Sequence, residues 1–446
     1  MMDRLTVVDE IFLRTHRGMG TPIALQGLWR TTDAMEPALL QAIHDRLRRG
    51  WLGRRVVNPR VPGARRAWQP NTGAHALDLL PNAVGTSEAG WPTTPMSPDD
   101  RTSSSVGPLV ENAILPWADG LGTDLDPEYT PGWRLSAARL DDGGTVAAVT
   151  CSHALADARG LIHALTVALD SLGAEEPTRA SPAAEQDLNS GGKSTRATSS
   201  DWADARTQWT TIISGTARAL RRGIPRPPAT STPDTSIDRA IHSTLLTFDA
   251  DHWDTTAATA DGTANSLFIH LIANILWHTG FPDPTIIASL PVDTRDEPRV
   301  DNDLAMTEIA IHRTDSPATI RDKAKAAYQR RMSSPASLPE EILQVLPDRW
   351  AHTLSKGAGE RDILCSNIGA LPEAVRKVGP HNCTRVAARA IHPDITTFPR
   401  TRLAGYLSHL GNTYTLALVS LDADADSLSE AIDKSCATTG VRPLPR

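Results

Sequence analysis

Residues 145–170, TVAAVTCSHALADARGLIHALTVALD, set an imidazole and a carboxylate four positions apart, where an apolar strand-like run gives way to an amphipathic helix. A neutral His153 at such a strand end, with its Nδ1 held locally, can take a proton from a hydroxyl or amine as that group attacks a carbonyl. The residues between it and Asp157 are small or apolar, which suits a tight turn inside a protein rather than a solvated loop. Asp157 is poorly placed to orient the ring as the third member of a triad, because at a helix start its side chain points away from the working face. It is better cast as a structural anion tying the turn to an arginine elsewhere. A plainer reading stays open: Asp157 caps the next helix through a backbone N–H, and His153 is a strand-end residue satisfied by a neighbour. In a chain with 14 histidines, about one such spacing is expected by chance.

Two other chemistries can be drawn from the same stretch. Cys151 precedes His153 by two residues and would share its strand face, so an acyl-cysteine is conceivable. No second histidine or electropositive setting is visible to lower the thiol's pKa. A zinc site on His153, Asp157 and His163 needs the segment to be one helix, and the strand-like lead-in and Gly160 oppose that. Gly160 is read as part of the turn. No metal is expected.

The elements that must carry this turn can be sketched along the chain. EPALLQAIHDRLRRG places Leu39, Leu40, Ile43 and Leu47 on one helical face before Gly50, a C-terminal cap. GWRLSAARLDDGGTVAAVTCSH reads as two strands joined by a turn at 141–144. From about Ala174 to Asp201 the composition shifts to Ser, Thr, Ala, Gly and Pro without apolar period, then a helix follows, then the Pro-rich IPRPPATSTPDTS. The second half opens with strand AIHSTLLTFDA and helix NSLFIHLIANILWHTG, apolar nearly all round and hence buried. TIIASLPVDTR is a strand, GYLSHLGNTYTLALVSLDA a hairpin, and DSLSEAIDKSCATTG a closing helix.

At 446 residues the chain is too long for one ordinary core. The expected division is a first domain over 1–175 carrying the His-x-x-x-Asp turn, a flexible linker over 176–236 with one helix at 201–224, and a second domain over 237–446. Strands interleaved with helices in both halves give an α/β class, an α+β two-layer sandwich. A formal net charge of -7 argues against nucleic acid as a partner. The four cysteines show no CxxC pair and no disulfide framework. The N-terminus has no signal-peptide core and no apolar run approaches the ~20 residues of a membrane span. A cytoplasmic, soluble protein without a transmembrane segment is the expectation.

Taken together these motifs resemble the acyltransferase superfamily of chloramphenicol acetyltransferase, the plant BAHD enzymes and nonribosomal-peptide condensation domains. The sequence is most similar to the bacterial wax ester synthase/diacylglycerol acyltransferases and the mycobacterial polyketide-associated acyltransferases. The likeness rests on five stretches in order: LTVVDEIFLRTHRGMGTPIALQGLW, PGWRLSAARLDDGGTVAAVTCSHALADARGLIHAL, DGTANSLFIHLIANIL, IIASLPVDTRDEPRVDNDLAM and CSNIGALPEAV. Departures are Ser152 where many relatives carry a first His, Ala158 in place of the usual Gly, and Asn265-Ser266 where relatives have Asn-Asp. The Asp-Phe-Gly-Trp-Gly loop of the plant branch is absent.

The resemblance implies two chloramphenicol-acetyltransferase-like domains with the active site in a tunnel between them. It implies His153 as general base, and an Asp157–Arg295 salt bridge across the domains. Ser366 or Asn367, with Ser152, would contact the oxyanion or substrate. No cofactor would be bound. The acyl group would arrive as a thioester, on CoA or on the phosphopantetheine of an acyl or peptidyl carrier protein, and pass to a small-molecule hydroxyl or amine. A chain that builds its own tunnel is expected to be a monomer. Three functions are weighed: a thioester-dependent acyltransferase of specialised-metabolite or lipid biosynthesis, a condensation enzyme acting on carrier-bound substrates, and a non-catalytic acyl-thioester or partner-binding relative. Wax or triglyceride synthesis fits less well, because work at a lipid surface favours an apolar or basic face.

Overall fold

The strands of the first sheet form where the sequence alternates or runs apolar. In the computed structural model, which describes residues 3–18, 20–80, 91, 108–173, 200–222, 241–330 and 361–445, two six-stranded sheets dominate. The elements of the first half are β1 (Asp3–Arg4), α1 (Val7–Gly18), β2 (Ala24–Thr31), α2 (Pro37–Arg49), β3 (Arg54–Val57), β4 (Ala67–Pro70), β5 (Asp78–Leu79), α3 (Ile114–Asp119), β6 (Trp133–Arg139), β7 (Thr145–Ser152) and α4 (Ala158–Asp170). The helix α5 (Asp201–Arg222) follows. The second half contributes β8 (His242–Asp249), α6 (Ala250–Thr259), α7 (Ala264–His278), β9 (Thr285–Asp293), β10 (Leu304–His312), α8 (Pro317–Arg330), β11 (Ile363–Ala370), β12 (Lys377–Val378), β13 (His381–Ile391), β14 (Leu403–Leu410), β15 (Thr413–Ser420) and α9 (Ala425–Thr439).

The first sheet has the order β12-β13-β2-β7-β6-β5 and the second β10-β9-β11-β14-β15-β8, while β1, β4 and β3 make a small third sheet. Strand β13, inside the range assigned to the second domain, pairs antiparallel with β2 from Ile391 opposite Ala24 to Cys383 opposite Thr31. The first sheet is therefore built from both halves of the sequence. Strand β7 lies between β2 and β6 and is buried along its whole length, which explains its unbroken small and apolar run.

One face of the first sheet packs Trp29, Leu135, Val149 and Cys151 against Leu40, Ile43 and Leu47 of α2 and Leu161 and Leu165 of α4. Each large side chain fully buried this way contributes roughly 1.5–3 kcal/mol before entropy is counted. The second core is organised around α7, whose Leu267, Phe268, Ile269, Leu271, Ile272 and Ile275 are all 0–1% exposed. That helix is apolar on every side because it is enclosed by β11 and β14 on one side and by α8 and α9 on others. Ser266 closes a capping box with Thr263 at its start.

Helix α5 begins docked rather than free. Asp201 Oδ1 meets Arg4 Nη2 at 2.6 Å and accepts at Oδ2 from Arg60 N, and Asp204 Oδ1 meets Arg65 Nη2 at 2.7 Å. The polar and Pro-rich passages on either side of it, at 174–199 and 223–240, lie outside the described residues. Among the described residues no helix is long and apolar enough to cross a membrane.

Candidate active site

The turn at the end of β7 is built by continuing the ladder one residue past the strand. Ser152 lies opposite Ala24, and the next residue, His153, donates its backbone N–H to Ile23 O at 3.0 Å. Leu155 N then bonds Ser152 O, and Asp157 caps α4 by accepting from Gly160 N at 2.8 Å. The imidazole emerges half-buried at the strand end. Phe12 of α1 stacks on it, with ring centroids 3.6 Å apart and planes 14° from parallel.

Its nitrogens are told apart by Asn302, on the connection between β9 and β10. Asn302 Nδ2 lies 2.7 Å from Asp9 Oδ1 and 2.8 Å from His153 O. Both partners only accept, so the nitrogen end of the amide must face them. The amide oxygen is thereby turned to His153 Nδ1 at 3.1 Å. Nδ1 carries the proton and donates, which leaves the lone pair on Nε2. Burial lowers the pKa of the ring, against the raising effects of its hydrogen bonds and of Asp157, so the neutral form is favoured at pH 7. His392, after β13, is a second imidazole with its pKa pushed down to about 4 by burial, and its Nδ1 faces Pro22 O at 3.1 Å.

Asp157 is both cap and ion-pair partner. Its Oδ1 meets Arg295 Nη2 at 2.5 Å and its Oδ2 accepts from Asp303 N at 3.1 Å. Arg295 in turn holds Asp301 O, Arg299 O and the carboxylate of Asp293, so its guanidinium stitches the 294–303 connection to the turn. From the other side Arg54 reaches Asp301 Oδ1 and Leu155 O, both at 2.5 Å, and its guanidinium lies 4.1 Å from the centre of the Trp68 ring. The connection that carries Asn302 is thus fastened to the turn that carries His153 by two arginines.

Gly160 corrects the sequence reading. It is the third residue of α4, not part of the turn. A Cβ there would lie 2.3 Å from Val300 O, so glycine is needed because the 294–303 backbone crosses directly over the helix.

The other candidates fall in different places. Ser152 is 3% exposed and its hydroxyl oxygen accepts from Ala154 N at 3.4 Å, within the turn. Ser366 and Asn367 lie on β11, in the second sheet; Asn367 Nδ2 donates to Asn265 Oδ1 at 2.9 Å, and no hydrogen bond joins either residue to His153. Cys151 is fully buried, and burial pushes its thiol up to about 12, which leaves no thiolate for an acyl-cysteine. His163 packs against Trp51, and among the described residues no group of His, Cys, Asp and Glu is arranged to hold a metal. Asn302, Asp9, Phe12 and Arg54 were not singled out from sequence. Asn302 sat within VDNDLAM, and nothing in its spacing from His153 marks a contact that spans 149 residues.

No family model matches this sequence, and no curated protein does. Solved structures do. The condensation domain of the monacolin K polyketide synthase MokA superposes with a TM-score of 0.58 at 11% identity, over 98% of this chain and 96% of its own. The first condensation domain of the CDA synthetase gives 0.55 at 14%, over 100% and 99%. This is the condensation-domain fold. The chain covers 44% of the longer nonribosomal peptide synthetase FmoA3, with a TM-score of 0.55, 14% identity and 99% of this chain aligned. Within this condensation-domain fold, His153 comes from the first sheet and Asn302 and Arg295 from the β9–β10 connection. The narrower resemblance to wax ester synthases and mycobacterial acyltransferases rests on the five sequence motifs alone.

Proposed function

We propose that the protein is a transferase that joins an acyl group, delivered as a thioester, to an amine or hydroxyl, forming an amide or ester with His153 as general base. The observation that supports this most is the fixed tautomer: Asn302 commits Nδ1 to donation and leaves Nε2 as a neutral proton acceptor. Nε2 takes the proton of the attacking N–H or O–H as the new bond forms to the thioester carbonyl. The tetrahedral intermediate collapses with loss of the C–S bond. The imidazolium returns the proton to the departing thiolate, so the base is regenerated and no other reactant is needed.

The neighbours named above are domains of a peptide synthetase and a polyketide synthase, which favours a phosphopantetheine-bound donor on a carrier protein over free acyl-CoA. Within this scheme Ser366 or Asn367 on β11 would supply the oxyanion contact, as the resemblance implies, and Arg295 keeps its structural place beside Asp157. The deciding experiment measures thiol release from acyl-CoAs and from acylated carrier proteins, with amine and alcohol acceptors, for the wild type and His153→Ala. Turnover with either donor, lost at least ~100-fold in the mutant, supports the scheme. Equal activity in the mutant removes the base role.

A further inference from the structure

Asp9 is completely buried on α1, and part of its role is local. Its Oδ2 accepts from Thr6 N at 2.9 Å while Thr6 Oγ1 accepts from Asp9 N at 3.0 Å, a reciprocal pair that starts the helix. That pair occupies one carboxylate oxygen. The other, Oδ1, is turned out of the helix onto a residue 293 positions away, accepting from both the backbone N (3.1 Å) and the Nδ2 (2.7 Å) of Asn302. A helix start needs no such second arm. Nor does the carboxylate have a direct ion pair among the described residues: the guanidinium beside it, Arg54, spends its bonds on Asp301 and Leu155.

We propose that Asp9 is a positioning residue for the acyl-transfer site, deciding through Asn302 which nitrogen of His153 carries the proton. The inference rests on the general-base reading of His153. The two ends of a carboxamide have nearly the same shape, so packing alone does not prevent a 180° flip. Flipped, Asn302 would present its oxygen to two acceptors, Asp9 Oδ1 and His153 O, and an N–H to His153 Nδ1. The ring would then hold its proton on Nε2 and have no lone pair for the acceptor substrate. His153 O opposes the flip with a neutral acceptor; Asp9 opposes it with a charge, the stronger of the two.

The groups facing the Asp9 carboxylate are Thr6 just before its own helix, Trp68 Nε1 of β4 at 3.4 Å, Asn302, and the charges of Asp301 and Arg54. Burial, then Asp301, raise its pKa to about 6, against the lowering effects of Arg54 and the hydrogen bonds. Protonation of Asp9 therefore weakens the hold on Asn302, while burial of His153 disfavours the charged form of the ring.

The test uses the full chain labelled with 15N-histidine and needs no substrate. In the wild type at pH 7.5 the His153 signals should report the Nδ1–H tautomer, and in Asp9→Asn a mixture or the Nε2–H form, with a melting temperature showing that the variant is folded. A titration of the wild type covers the case in which Asp9→Asn does not fold: the Nδ1–H signature of the neutral ring should weaken as Asp9 takes up its proton near pH 6. A pure Nδ1–H ring in the variant, or a neutral wild-type ring that keeps the Nδ1–H form unchanged after Asp9 has taken up its proton, overturns the proposal. With a working donor, Asp9→Asn should lower kcat about 10- to 100-fold at unchanged KM and move the acid limb of its pH profile downward. Acyl transfer that survives His153→Ala would instead remove the base reading, leaving the tautomer result to stand or fall separately.

Discussion

In the proposed scheme the imidazole serves as a base because one nitrogen is already committed, and the commitment comes from a neutral amide rather than from a carboxylate in contact with the ring. His153 therefore keeps a low affinity for protons at rest, since burial opposes its charge and no anion sits on Nδ1. His153→Ala should cost at least ~100-fold in turnover while the melting temperature changes little, because the ring is half-buried and its backbone N–H stays paired with Ile23. Cys151→Ser should retain activity, as its thiol is never ionised at working pH. Of this site, His153, Asp157 and Arg295 could be read from the sequence because each sits in a motif of recognisable shape. Asn302 and Asp9 could not, since their meaning lies in contacts across 149 and 293 residues that no local period encodes.

The elements around the turn behave as one clamp. Asp157→Ala removes the cap of α4 and leaves the guanidinium of Arg295, 8% exposed, without its buried partner; unfolding in denaturant should register a loss of about 3–5 kcal/mol. Gly160→Ala drives a methyl into Val300 O and should destabilise by about 1–3 kcal/mol, with activity falling alongside because the same connection holds Asn302. Gly160 was misread because a glycine near a turn and a glycine under a crossing backbone look alike in sequence. A second tie joins β13 to the segment before α2, where His381 Nδ1 and Nε2 face Asp33 Oδ2 (2.9 Å) and Glu36 Oε2 (3.0 Å). Burial lowers the His381 pKa, but the two carboxylates outweigh it and the net shift is upward. The ion pairs are present in full below pH ~6.5 and are lost as pH rises through the raised folded value. Because both carboxylates are more than half exposed, the effect on melting temperature should be at most about 2 °C, and absent in His381→Phe.

At the scale of the molecule, the class of fold was legible while the passage of one strand from the second half into the first sheet was not. Alternating strands and helices gave the α/β class, and the buried α7 announced itself by being apolar on every side. That β13 would leave the second half to border β2 has no local signature, because a strand's partner is a non-local choice. A fragment ending at residue 236 should consequently fail to fold cooperatively, shown by the absence of a sharp thermal transition, since β2 would lack its β13 neighbour. Adding a separately expressed 237–446 fragment should restore a transition, if the two halves fold only together.

The same borrowed strand sets a timetable. A ribosome adding roughly 5–20 residues per second releases β2, β6 and β7 on the order of ten to fifty seconds before it finishes β13. Throughout that interval the nascent sheet has His153 already at its end and an open edge along β2, a template for pairing with any passing strand. Slower translation between residues 152 and 391 lengthens the time this edge stands open, and with it the opportunity for a wrong partner to pair there.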